Sequence, residues 1–217
     1  MSDPDTLPVL LRGIEDCLTE AACADDSESA RVAVERGMRT AQVLLKKFPD
    51  HYQAFHTLGV LWYHHPDKTP ARASKVKELL KRALELNPAS QFSIQYLAYV
   101  YFDERDYRTA LGYYEQTDRK FFESEDQLWR WLKAWECSIA CRIHLEPASL
   151  STDEIQAFIG AYHETETEDE SPKVQWELWE SLQSLSPEYR ARHAEIIATV
   201  REFIIASGNE FVLEKIA

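Results

Sequence analysis

Five residues able to ligate a transition metal crowd one stretch of the 217-residue chain: His51, His56, His64, His65 and Asp67. Imidazoles with a carboxylate suit zinc and its neighbours, but a spacing such as His-Glu-x-x-His is absent, so these side chains read as polar groups of a helix face and a loop. Cys137 and Cys141, with His144 nearby, form a second set. Two thiols one turn apart on a helix are core-filling side chains before they are ligands. With Cys17 and Cys23 they make four cysteines, read as reduced thiols that fit a cytosolic address. Carboxylate pairs are plentiful, yet they lie in acidic runs where nothing separates one pKa from its neighbour for acid–base work. With 6 glycines there is little room for a phosphate-cradling loop or a nucleophile elbow. The expectation is a chain that is not an enzyme and holds no cofactor or metal.

Charge narrows the partners. The net charge is −13, with acidic blocks at residues 1–28 and 123–189 flanking a middle region, 29–122, that carries 15 basic against 10 acidic side chains. A chain of this sign is repelled by phosphate backbones and anionic lipid, so nucleic acid or membrane would be reached only through a local patch. One patch exists: Arg72, Lys75, Lys77, Lys81 and Arg82 lie on one predicted helix, with Lys68 just before it, against Glu78 and Glu85. A solvated outer face is its plainer reading, since no aromatics interleave the basic residues; a nucleic-acid-associated helical repeat using helix 68–82 is the alternative. Residues Met1–Pro8 carry Asp3 and Asp5 and do not read as a signal peptide, and no apolar run approaches a bilayer span.

These residues need elements to position them, and apolar residues at three- and four-residue intervals predict helices alone. Ten are expected, near 6–23, 29–48, 51–64, 69–87, 91–103, 106–121, 125–145, 152–165, 173–185 and 187–206. Ser124 with Gln127 and Ser151 with Glu154 have capping-box spacing, and Ser186-Pro187 pairs a capping serine with a proline at the first helical position. Pro49 and Pro88 stop the helices before them.

The helices also repeat. Ile94, Leu97, Ala98 and Tyr101 on one helix are followed by Tyr107, Ala110 and Tyr114 on the next, with Ala110 twelve residues after Ala98. Small side chains belong where two packed helices approach, with larger neighbours filling the space beside them. Phe55, Leu58, Gly59 and Trp62, then Val76, Leu80, Ala83 and Pro88, form a preceding unit with an insertion at His65–Pro70. Gly37, Ala41, Leu44 and Pro49 match the second helix of a further unit, and Leu128, Trp131, Leu132 and Trp135 keep a first helix, although Leu132 fills a slot that should be small. This spacing resembles the tetratricopeptide repeat family, best over 52–121 and not at all over 173–217.

The resemblance implies an all-α fold of antiparallel helix hairpins, a right-handed solenoid of three to four units with a C-terminal capping helical pair. It also implies a repeat region at 1–165, an acidic linker at 166–172 and a helical cap at 173–217. In that family the first helix of each unit lines a concave groove, which implies Gln53, His56, Val60, Tyr63 and His64 as groove residues. The next helices add Phe92, Gln95, Tyr99, Phe102 and Asp103, then Asp126, Trp129, Lys133 and Glu136.

Aromatic groove residues offer large contact area at low entropic cost, the composition of a peptide or helix receptor. Tyr99 and Phe102 are expected at its centre. The other reading is that the final helices fold back and fill the groove. Relatives that capture acidic chaperone tails use basic residues and asparagine at these slots, and only Lys133 answers to that, which argues against that ligand. The expected partner is another protein, met by an adaptor, a chaperone or an immunity-type inhibitor. The apolar tail from Ile196 to Ala217 reads first as a cap and second as a surface for self-association through the C-terminal helices.

Overall fold

The computed structural model describes residues 6–67, 69–165 and 176–208. It is all-helical, with twelve α-helices, one 3-10 turn at Pro147–Ser149 and no strand among the described residues. The expected linker at 166–172, and Phe211, Val212, Leu213 and Ile216 of the tail, lie outside the described residues. Among the described residues no helix reaches the length and apolarity needed to cross a membrane. The chain divides into two compact units, Met1–Val100 and Tyr101–Ala217.

In the first unit α1 (Thr6–Ala22), α2 (Ser27–Lys47), α3 (Tyr52–His64) and α4 (Pro70–Leu86) pack consecutively, each against the next, and α5 (Gln91–Asp103) follows and runs on past Val100. The turns are set by local chemistry. Asp26 caps α2, its Oδ1 accepting from the Glu28 and Ser29 N–H groups at 2.9 and 2.8 Å. Thr69 caps α4, whose first residue is Pro70, and Pro49 and Pro88 follow directly on the C-caps Phe48 and Asn87 as expected. The core gathers Ile14, Val34, Leu44, Ala54, Leu58, Leu61 and Leu79. Gly37 and Gly59 lie where helices press closest: a Cβ on Gly37 would stand 2.7 Å from Leu61 Cδ2, and one on Gly59 2.8 Å from Leu80 Cδ2. Both were expected from sequence to be small for that reason.

In the second unit α8 (Leu128–Leu145) is the central element. α6 (Tyr107–Tyr114), α7 (Arg119–Ser124), α9 (Thr152–Thr165) and α10 (Trp176–Ser184) all pack on it. α11 (Pro187–Arg192) and α12 (Ala194–Ser207) follow, with α12 against α9 and α10. The described part of the expected cap is thus built into the core of this unit, joined to it through Leu178, Leu182, Ile196, Val200 and Phe203 beside Leu132, Ile139 and Phe158. Trp131, Trp135, Phe158, Phe203 and Tyr162 continue the packing as a chain of rings with centroids 4.8 to 6.3 Å apart.

Two expected helices divide in two. The 106–121 stretch breaks after Tyr114, where Thr117 Oγ1 donates to the Tyr114 carbonyl and Asp118 caps a new helix through Lys120 N–H. The 187–206 stretch breaks at His193. The capping box expected at Ser124 does not form: Ser124 ends α7, its Oγ donating to the Phe121 carbonyl. At the second box, Glu154 is drawn instead into an ion pair with Arg142. Ser186 caps α11 as expected, with Pro187 at its first position.

Candidate functional site

Residues one turn apart on a helix share a face, and α3 and α5 each place several rings on one face. From α3 come His56, Tyr63 and His64; from α5 come Phe92, Tyr96 and Tyr99. These rings meet. His56 lies 6.3 Å from Phe92 and 6.0 Å from Tyr96, while Tyr63 lies 5.4 Å from Tyr96 and 6.3 Å from Tyr99. Most contacts are edge-to-face, the arrangement that ring quadrupoles favour. Polar atoms fix the rings: His56 Nδ1 and Ser93 Oγ are 2.9 Å apart, and His64 Nε2 and Tyr96 Oη 3.2 Å. His64 is exposed and the other five are half-buried, so the strip is ordered by its own contacts and still presents surface.

Five of the expected groove residues, His56, Tyr63, His64, Phe92 and Tyr99, therefore belong to one constellation. Tyr96, its hub, was not among them. The signal was available, since Tyr96 stands four residues after Phe92 and three before Tyr99. Gln95 has no exposed surface, and Gln53 is half-buried, its carbonyl accepting from Thr57 Oγ1 at 2.8 Å.

The remaining expected residues lie in the second unit, since Tyr99 and Phe102 fall on either side of the division at Val100. Phe102 packs edge-on against Tyr107 and Tyr114. Trp129 is 43% exposed, with the Arg130 guanidinium 4.6 Å from its ring centroid. Lys133 is committed to the fold. Its ammonium is 3.0 Å from Glu136 Oε2 and also bonds Glu177 Oε2. Burial opposes its charge, but the Glu136 and Glu177 carboxylates outweigh burial and hold it above the ordinary lysine range.

The histidines between residues 51 and 65 are each engaged in ring or hydrogen-bond contacts. His51 stacks on Tyr52, His56 and His64 belong to the ring strip, and His65 Nδ1 accepts from the Asp67 N–H at 3.2 Å. Among the described residues no three His, Cys, Asp or Glu side chains converge as a metal set. Cys17, Cys137 and Cys141 are buried and Cys23, just past the end of α1, is exposed. Burial pushes the Cys141 thiol up to about 12 and Cys137 well above the usual thiol range, so both stay protonated. Arg72, read from sequence as part of a basic stripe, is buried. Its Nη1 donates to the carbonyls of Tyr63 and His65 at 2.7 and 3.2 Å, closing the end of α3. Lys75 and Arg82 pair with Glu78 and Glu85 on their own helix.

A separate cleft of about 510 Å³ opens in the second unit, lined by Phe102, Asp103, Arg105, Tyr107, His144, Glu180, Ser181 and Ser184. Tyr107 stacks on His144 with centroids 4.0 Å apart, and His144 Nε2 lies 3.1 Å from Ser181 Oγ. Burial first, and the Arg105 charge second, lower the His144 pKa from its ordinary value, so the imidazole is neutral at pH 7. Comparison of the chain with family models and with curated proteins finds no match.

Proposed function

We propose that the protein is a non-enzymatic protein-binding module that receives a peptide or helix of its partner on the α3–α5 ring strip. We read its helices as stacked hairpins of tetratricopeptide type, forming a right-handed solenoid. Consecutive packing of α1 to α4 and the close approaches at Gly37 and Gly59 support that reading. The observation that carries the function is the strip itself, six rings from two helices held by mutual contacts and two polar bonds while retaining exposed surface. Rigid aromatics lose little entropy on binding, and partly exposed rings gain most from being covered.

The test is affinity capture from native lysate with Tyr63→Ala/Tyr99→Ala beside the unaltered protein. Loss of the captured partner with helical circular dichroism intact supports the strip. A folded double variant that captures the partner undiminished sinks it. Lys77→Glu/Lys81→Glu serves as the comparison, because on this reading the charged face of α4 is not used.

A further inference from the structure

The second unit carries 24 acidic and 12 basic residues, whereas the first carries 13 and 12, so almost the whole net charge of −13 resides in the unit that contains the cleft. The cleft is graded in polarity. Its floor is Ser181, which is buried, with the half-buried rings of Phe102, Tyr107 and His144; its rim is Asp103, Arg105, Glu180 and Ser184, all exposed. With His144 neutral, the lining holds two carboxylates and one guanidinium, an excess of one negative charge. Glu180 forms no ion pair with a described residue, and Ser184 Oγ, on the same helix, donates to the Ser181 carbonyl at 2.7 Å. The Tyr107–His144 stack, held by the Ser181 hydroxyl, fixes a flat aromatic wall beside that carboxylate.

A ligand suited to such a wall is planar, carries one positive charge, and can present paired N–H donors to a carboxylate. Guanidinium has all three properties: it packs on aromatic rings, forks onto carboxylates and is weakly hydrated, whereas a lysine ammonium is a strongly hydrated point charge. We propose that this cleft is a receptor for an arginine side chain of a partner protein, with Glu180 as its counter-ion and the Phe102, Tyr107 and His144 rings as its packing surface. The site is independent of the α3–α5 strip and stands or falls separately from it.

The experiment titrates the full-length, isotopically labelled chain with N-acetyl-arginine amide and follows backbone amide resonances. Saturable shifts of Arg105, His144 and Ser184 are expected, weakened about tenfold in Glu180→Gln, equivalent to about 1.4 kcal/mol, and unchanged in Glu188→Gln, which removes the same charge on α11. Three parallel ligands decide the chemistry. Arginine amide binding more tightly than N-acetyl-lysine amide and spermidine supports the assignment; equal or tighter binding of either overturns a planar guanidinium site. Preferential binding of N-acetyl-glutamate amide overturns it too, by making Arg105 the recognising group. Absence of any saturable shift, or equal weakening by both glutamine variants, also overturns the site.

Discussion

The Glu136 carboxylate, with no exposed surface, accepts the N–H of Leu178 at 3.1 Å, so a side chain of α8 holds the main chain of α10 forty-two residues away. Its other oxygen takes the Lys133 ammonium at 3.0 Å, and Lys133 in turn bonds Glu177. The buried charges are thereby paired and hydrogen-bonded, the condition under which such groups are tolerated inside a protein.

Removing one partner should cost more than removing two. Lys133→Met leaves Glu136 charged and buried and is expected to destabilise by about 3 to 5 kcal/mol. Lys133→Met/Glu136→Leu should recover part of that loss, though not all, because the Leu178 N–H is then left without its acceptor. Urea unfolding of the two single variants and the double one measures this; a strictly additive double variant would show that the three groups do not act as one cluster.

Much of the fold was legible because its determinants are local. Helix periodicity, Pro49, Pro88 and the Ser186-Pro187 pair located most helix ends within a few residues, and glycines in helical patterns pointed to Gly37 and Gly59. The ring strip was legible in large part: the repeat spacing put His56, Tyr63 and His64 on a face of one helix and Phe92 and Tyr99 on a face of another, and passed over Tyr96. Lys133 was not legible. On α8 alone it resembles any exposed lysine, and only the return of α10 brings Glu177 to it. Arg72 escaped for the same reason, since its acceptors are main-chain carbonyls at the end of another helix. Aspartate caps were readable in principle, but Asp26 stood in an acidic run and Asp118 fell inside the single helix expected over 106–121.

The glycines give a paired test of packing. Gly160 lies on α9 with nothing within 4 Å of an added Cβ, so Gly160→Ala should stabilise by about 0.5 to 1 kcal/mol through helix propensity. Gly37→Ala gains the same propensity but drives a methyl against Leu61 and the Cβ of Cys17, the latter at 3.2 Å. Overpacking of about 1 to 3 kcal/mol should exceed the gain. Denaturant midpoints moving in opposite directions are expected; a stabilised Gly37→Ala would show that the α2–α3 contact is loose.

Ala110 on α6 is fully buried in the second unit, where α6 packs on α8. Ala110→Glu brings both volume and a charge to a place with no water. The expected loss is about 3 kcal/mol or more. A thermal melt unchanged from the parent protein would contradict the close packing of α6 and remove a main support for the repeat assignment.

His144 is expected to make the second unit sensitive to acid. Its neighbours are Tyr107 stacked on one face, the Ser181 hydroxyl at Nε2, and the charges of Arg105 and Glu180, of which Arg105 opposes protonation and Glu180 favours it. Burial is the largest effect and the net result is a folded-state pKa below the ordinary 6.5. As pH falls through that unfolded value, the unfolded chain takes up a proton at this imidazole that the folded chain refuses. Stability therefore decreases with falling pH from near neutrality until the lowered folded-state pKa is passed, and is constant in this respect below it. His144→Gln keeps a hydrogen-bonding group for Ser181 and removes the titration. Thermal midpoints measured from pH 7.5 down to about 5, above the main carboxylate range, should fall more steeply for the parent protein than for the variant. Parallel curves for the two would show that His144 is no more reluctant to ionise in the folded chain than in the unfolded one, and that the stack on Tyr107 does not desolvate it.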